Sequence, residues 1–327
     1  MKIFLGVILL LAIGAIAFVY LSYRRDLGSA YERIAAGSIV AHTPCGPIEY
    51  ASVGEGDPVL VVHGAGGGID QGMDAAKSLA TLGFRVIAVS RFGYLRTPLP
   101  ADASPEAQAD AHACLLDALG IRRAAVIGAS AGAPSAMQFA LRHPERCPAL
   151  VLLVPAAYVP RPGGAPSLTP PPAAEFLFDT ALRSDFLYWA WIRLANGIMV
   201  ANILATPPEV LERADADEQA RAAQLLEHTL PVSLRRQGFV NDARVTLSLR
   251  RYDLERIRAP TLVIAVQDDR FGIWRAARYT AEHIPGARFV GYPTGGHVWI
   301  GHHKDMLGEI AGFLTQQRER GRSAPRS

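Results

Sequence analysis

Gly128-Ala129-Ser130-Ala131-Gly132 interrupts an otherwise apolar stretch, between the run ending at Ile127 and a helix-forming segment that extends to His143. A serine between glycines at a strand-to-helix turn can be held in strained backbone with its hydroxyl raised, because larger neighbours would collide there. Ser130 is therefore the candidate nucleophile. The same five residues would also describe an ordinary loop with a capping serine, so the reading depends on partners elsewhere in the chain.

Three such partners occur. Val59-Leu60-Val61-Val62 ends in His63 and the glycine-rich turn Gly64-Ala65-Gly66-Gly67-Gly68. Backbone N–H groups in such a turn can approach a developing oxyanion, and Ala65 and Ala131 are the expected donors. A dinucleotide-binding turn would need glycine where Ile69 stands, and the Walker signature is absent. His63 is expected to anchor the loop rather than to react. Downstream, Thr261–Val266 breaks into Gln267-Asp268-Asp269. A carboxylate at that strand end can orient an imidazole, and Asp269 is the expected one, with Asp268 facing solvent or capping the turn. Finally, Thr294-Gly295-Gly296-His297 follows Arg288–Tyr292. This loop can bring His297 over the serine as general base, whereas His302 and His303 fall at the start of the terminal helix. A metal cluster of His297, His302, His303 and Asp305 lacks the helical histidine spacing of zinc sites.

The order Ser130, Asp269, His297, preceded by a glycine-rich turn, resembles the α/β-hydrolase-fold serine hydrolases over about residues 37–318. Ser90-Arg91-Phe92-Gly93-Tyr94-Leu95-Arg96-Thr97 is similar to a loop of that family, although Val89-Ser90 stands where an aspartate is usual. The resemblance implies a mostly parallel sheet with helices on both faces and an inserted helical cap. It also implies acyl transfer to water through an acyl-enzyme, with no cofactor and no metal. Carboxylic esters are the expected substrates. The alternatives are carbon–carbon bond hydrolysis of the meta-cleavage type, lactone opening, or a non-catalytic binding protein on the same fold. Fluorophosphonate labelling that Ser130→Ala abolishes is expected of the enzymes, and no labelling of the last.

The elements needed to position these groups are legible. Strands at Ser38–Thr43 and Ile48–Val53 suggest an antiparallel start; helices and strands then alternate, as expected of a parallel sheet covered on both faces. The alternation stops between residues 158 and 253, too long a stretch for a crossover, so a cap is expected over the reactive rim, with the core at 37–157 and 254–318. Thr206-Pro207-Pro208-Glu209 reads as a capping box inside it. Phe176, Phe186 and Trp189 are candidate substrate-binding residues of an apolar lid.

At 327 residues, half of them hydrophobic, the chain can bury one large core. A net charge of +3 and no basic stripe interleaved with aromatics argue against nucleic acid. Arg318, Arg320, Arg322 and Arg326 read as a solvated cluster at the C-terminus, where the core ends at 318 and a basic tail runs over 319–327. The cysteines, Cys45, Cys114 and Cys147, allow at most one pair, and Cys114 reads as a small core residue. Ile3 to Tyr23 contains no charge; at ~1.5 Å per residue it spans about 32 Å, enough for a bilayer core. Residues 1–23 are expected to be a single-pass anchor or uncleaved signal, with 24–36 as linker and orientation open.

Overall fold

The computed structural model describes residues 1–160 and 182–323. Eight strands form one sheet: β1 (Ile39–Thr43), β2 (Gly46–Val53), β3 (Asp57–Val62), β4 (Phe84–Val89), β5 (Ala125–Ala129), β6 (Leu150–Leu153), β7 (Thr261–Val266) and β8 (Arg288–Tyr292), in the order β1-β2-β4-β3-β5-β6-β7-β8. β1 and β2 pair antiparallel, β2 pairs antiparallel with β4, and the rest are parallel. Every residue of β7 and the last four of β3 are buried. Such near-continuous apolar runs are what a sheet covered on both faces demands.

Helices α2 (Ile69–Ala76), α3 (Pro105–Ala118), α4 (Ala133–Arg142), α10 (Trp274–His283) and α11 (His303–Ser323) flank the sheet. Ser104 caps α3 by accepting from the Ala107 N–H, with Pro105 in the first turn. One face of the sheet packs on Leu115, Met137 and Phe139, the other on Leu79, Met306 and Ile310. Because β3, β5, β7 and β8 run parallel, their carboxyl ends, and the loops after them, share one edge.

Between β6 and β7 the described residues form α5 (Asp185–Leu194), α6 (Asn196–Asn202), α7 (Pro208–Glu212), α8 (Ala216–Glu227) and α9 (Arg236–Leu247). Tyr188, Met199, Val200, Ala222 and Leu226 form their own apolar core. The capping box at Thr206 does not form. α7 starts at Pro208, and the Thr206 hydroxyl donates to Leu204 O instead.

The N-terminus departs furthest from expectation. A single helix, α1, runs from Lys2 to Ala35, so residues 24–35 are not a linker. Ala30 and Ile34 are buried, and Ala30 joins the apolar core of the inserted helices. Burial of this face, one turn long, is what continues the helix past Arg24 and Arg25. The outer part, Ile3 to Leu21, is almost wholly exposed.

Two smaller corrections concern cysteine and arginine. Cys114 is bonded to Cys45, with Cα atoms 6.1 Å apart, tying the β1–β2 turn to α3. The spacing of 69 residues carried no signal of this. Cys147 is free, and burial pushes its thiol up to about 12. In the basic tail, Arg318 donates to Leu82 O and stacks over Phe84, and Arg322 pairs with Asp57 at 2.9 Å. Arg326 lies outside the described residues.

Candidate active site

Ser130 follows the last residue of β5 with φ +47°. This left-handed conformation is strained for a side-chain-bearing residue. The flanking glycines make it possible. A Cβ at Gly132 would lie 2.5 Å from the carbonyl oxygens of Val62 and His63, and one at Gly128 would lie 2.5 Å from Ala136 Cβ. Close approach of the elbow to β3 and to α4 therefore excludes any larger residue at both positions.

His297 is brought to Ser130 by the loop after β8. Its Nε2 lies 2.9 Å from Ser130 Oγ, and its Nδ1 lies 2.6 Å from Asp269 Oδ2. Since an ionised carboxylate only accepts, Nδ1 carries the proton and Nε2 is left to accept from the serine hydroxyl. Asp269 is 5% exposed and His297 8%. Asp269 Oδ1 accepts from the Phe271 N–H at 2.8 Å, and the Phe271 ring meets the imidazole edge-on at 4.8 Å. The carboxylate and the ring together restrict the imidazole to one orientation.

Asp268 has a task the sequence did not reveal. Its two oxygens accept the N–H groups of Gly295 (3.2 Å) and Gly296 (2.7 Å), so the adjacent aspartates divide the work. Asp269 holds the ring and Asp268 holds the loop that carries it. Gly296, at φ +64°, also abuts Thr206, which a Cβ would meet at 2.4 Å. The inserted helical segment thus seats the histidine loop from the other side, through Ala205 O, which accepts from the His297 N–H at 3.3 Å.

The glycine-rich turn lies beside the serine: a Cβ at Gly64 would be 3.2 Å from Ser130 Cβ. Ala65 is exposed at its tip, and Ala131 is half-buried next to the serine. His63 is structural. Its Nδ1 lies 2.6 Å from Gly64 O, and its Nε2 accepts from the Arg91 N–H at 3.0 Å. Burial, reinforced by Arg91, holds the ring well below the usual histidine range, so it is neutral near pH 7.

Two buried arginine–carboxylate pairs fix this turn. Arg91 donates to His63 O (2.8 Å) and Gly64 O (3.1 Å), and grips Asp242 of α9 through both oxygens at 2.6 and 2.7 Å. Tyr94 donates to the same carboxylate at 2.5 Å and accepts from the Gly66 N–H at 3.2 Å. Asp242 thus supplies the carboxylate whose absence before Arg91 was conspicuous. Ser90, in that place, donates to buried Glu49 at 2.7 Å. On the other flank, Arg235 donates to Gly67 O at 2.5 Å and to Asp70 at 3.1 and 2.7 Å.

Asp70 makes stability depend on acid. Burial alone would raise its carboxyl, but Arg235 and Arg33 overrule it and hold it down to about 2. A carboxyl lowered from 3.8 in this way contributes about 2 kcal/mol. That contribution is complete above about pH 4 and is lost as pH falls toward 2. Chemical denaturation at pH 4.0 and 2.5 is expected to show a drop in wild type that is shallower in Asp70→Asn. Equal drops in the two proteins would remove Asp70 from this role.

The aromatic residues expected over the site lie elsewhere. Phe186 and Trp189 pack against Tyr23 of α1, with ring centroids 5.3 and 5.7 Å away, and Trp189 Nε1 donates to Asp26 at 2.9 Å. Phe176 lies outside the described residues. Among the described residues, two further rings stand near the candidate site: Phe271, on His297, and Phe239 of α9, whose Cζ would lie 2.6 Å from a Cβ at Gly66. Both are isolated in sequence, so density of aromatics could not point to them.

The sequence signature of the α/β-hydrolase fold matches residues 57–301. The chain belongs to the α/β-hydrolase family. This hydrolase is 28% identical to the uncharacterised hydrolase YcgS of Bacillus subtilis, over 82% of this chain and 95% of that one. It is 29% identical to the 2-hydroxymuconate semialdehyde hydrolase of Pseudomonas putida, covering 80% and 89% of the two chains. Among solved structures, an α/β-hydrolase fold protein from Nakamurella multipartita superposes with a TM-score of 0.65 at 27% identity, covering 86% of this chain and 98% of that one.

Proposed function

We propose that this α/β-hydrolase is a serine hydrolase that cleaves carboxylic esters of apolar acids or alcohols through an acyl-enzyme. The observation that carries the reading is the unbroken line from Asp269 through His297 to Ser130, at 2.6 and 2.9 Å. In this mechanism Ser130 Oγ attacks the ester carbonyl while His297 Nε2 takes its proton. Asp269 stabilises the resulting imidazolium, and the N–H groups of Ala65 and Ala131 receive the oxyanion. The imidazolium then protonates the departing alcohol, and water repeats the sequence to release the acid. No cofactor enters these steps.

A second reading, carbon–carbon bond hydrolysis, is favoured by the 29% identity to the 2-hydroxymuconate semialdehyde hydrolase. The same serine and histidine would serve it, with a ketone carbonyl in place of the ester. A small-molecule substrate suits both readings.

We also read α1 as a membrane anchor, since it is long and apolar enough to cross a bilayer and its outer part is exposed. The Cys45–Cys114 disulfide favours placing the hydrolase domain on the oxidising side. One assay series covers these points. Short p-nitrophenyl esters are expected to turn over faster than a vinylogous 1,5-diketone; the reverse ranking would favour carbon–carbon cleavage. In sealed right-side-out vesicles a membrane-impermeant fluorophosphonate is expected to label Ser130 before detergent is added. Labelling only after detergent would put the domain inside.

A further inference from the structure

We propose that Arg33, on the helix that carries the apolar N-terminus, is a positioning residue for the glycine-rich turn beside Ser130. The proposal rests on the reading of Ser130 as nucleophile and of that turn as an oxyanion donor.

Three side chains link α1 to the turn. Arg33 Nε donates to Asp70 Oδ2 at 3.2 Å, and its Nη2 donates to Leu230 O at 2.6 Å. Asp70 takes both ends of the Arg235 guanidinium, and Arg235 Nη1 in turn donates to Gly67 O at 2.5 Å. Asp70 is 8% exposed and Arg235 0%. In so dry a place a polar group without a partner is penalised, so the network holds one arrangement rather than a range.

The consequence of losing Arg33 follows from the acceptors it would abandon. Leu230 O would lose its short bond, and the nearest remaining donor is Arg235 Nη2, already 3.4 Å away. Asp70 would keep Arg235 as its one counter-charge at hydrogen-bond distance, beside the Gln71 N–H. The freed Leu230 O draws that guanidinium toward the inserted helices and away from Gly67 O, loosening the turn. Charge does not oppose the change: two guanidiniums now share one carboxylate, and removing Arg33 leaves a matched pair. The fold is therefore expected to tolerate the loss, while the geometry of the turn suffers. Small displacements of groups that stabilise a transition state lower turnover more than binding.

This makes α1 more than a tether. Nine residues of continuous helix lie between Tyr23, where the uncharged stretch ends, and Arg33, and Arg33 reaches the reactive centre through two side chains.

The test uses the full chain in detergent or nanodiscs, with turnover of a p-nitrophenyl ester normalised to sites titrated by a fluorophosphonate. Arg33→Ala is expected to lower kcat about tenfold with KM within twofold of wild type, and to slow fluorophosphonate labelling by the same factor. Arg33→Lys, which can restore one bond but not the fork, is expected to fall between. Glu32→Ala, on the exposed side of the same helix, serves as the neutral control. An unchanged kcat per titrated site in Arg33→Ala would overturn the proposal, as would a rise in KM with kcat preserved. If Arg33→Ala does not fold, Arg33→Lys decides: wild-type turnover per site in that variant would also overturn it. A wild-type protein that neither turns over ester nor takes up the probe would instead fail the proposed function itself.

Discussion

Replacing Ser130 by alanine is expected to lower ester turnover by on the order of 10⁴- to 10⁶-fold, the range seen when a serine nucleophile is removed from a coupled triad. KM and thermal stability should change little, because the strained elbow is built by Gly128 and Gly132 and alanine keeps the same backbone demand. The aspartates give a sharper version of the same experiment. Asp269→Asn keeps the shape but offers an amide to Nδ1, so the imidazole is held in the wrong tautomer and kcat should fall by about 10⁴-fold. Asp268→Asn keeps an acceptor oxygen for the loop N–H groups, so it should lose no more than about tenfold. Steady-state rates with a p-nitrophenyl ester separate these cases. Retention of a hundredth of the wild-type rate by Ser130→Ala would show that another group attacks. Equal losses at 268 and 269 would mean that loop position, not the imidazole's orientation, limits the reaction.

What could be read in the amino-acid sequence was whatever obeys short-range rules. β3, β5, β7 and β8 announce themselves as apolar runs broken by glycine or aspartate, and parallel pairing then sends Ser130, Asp269 and His297 to one edge. The choice of Asp269 over Asp268 followed from counting positions past the strand, and in the structure it is Asp269 that faces the imidazole. The start of α2 is not legible in the sequence, because Ile69-Asp70-Gln71-Gly72 follows three glycines and itself contains one, which looks like loop. Its helicity comes from contacts no local window contains: Gly72 abuts Ala88 of β4, and Asp70 is buried between two arginines.

Long-range polar pairing was illegible for the same reason. Arg91 and Asp242 are 151 positions apart, and Arg33 and Asp70 are 37 apart. Neither pair has a spacing rule, since each is set by how α9 and α1 lie across the sheet edge. The aromatic-rich stretch around Phe186 and Trp189 reads as a lid over the site, yet its rings pack elsewhere, Trp189 buried and Phe186 still exposed. Composition cannot say against what, and the answer is the inner half of α1. The stretch after Tyr23, expected to be a linker, instead continues the helix and lies on the domain, because Asp26 and Arg33 find partners there and Ala30 and Ile34 find apolar cover.

Asp242→Ala is expected to destabilise the protein by about 3–5 kcal/mol, because it leaves the Arg91 guanidinium buried without its counter-charge. For a chain of this size that corresponds to a fall in Tm of roughly 10 °C. Arg91 is 5% exposed and Asp242 also 5%, so water cannot readily replace the lost carboxylate. Tyr94 loses its acceptor in the same stroke. Stability and activity should then come apart in the double variant Arg91→Met with Asp242→Leu. Two apolar side chains of similar volume remove both buried charges, and part of the lost Tm should return. Turnover should not return, because Arg91 also donates to His63 O and Gly64 O, and methionine leaves that side of the glycine-rich turn unheld. Thermal unfolding alongside kcat reads both quantities. A double variant that recovers Tm and full turnover together would mean that the pair merely fills space. An Asp242→Ala protein as stable as wild type would mean that Arg91 finds another partner on unpinning. Recovery of Tm without turnover assigns the pair its place: it holds the turn on one flank of Ser130 while Arg235 holds it on the other.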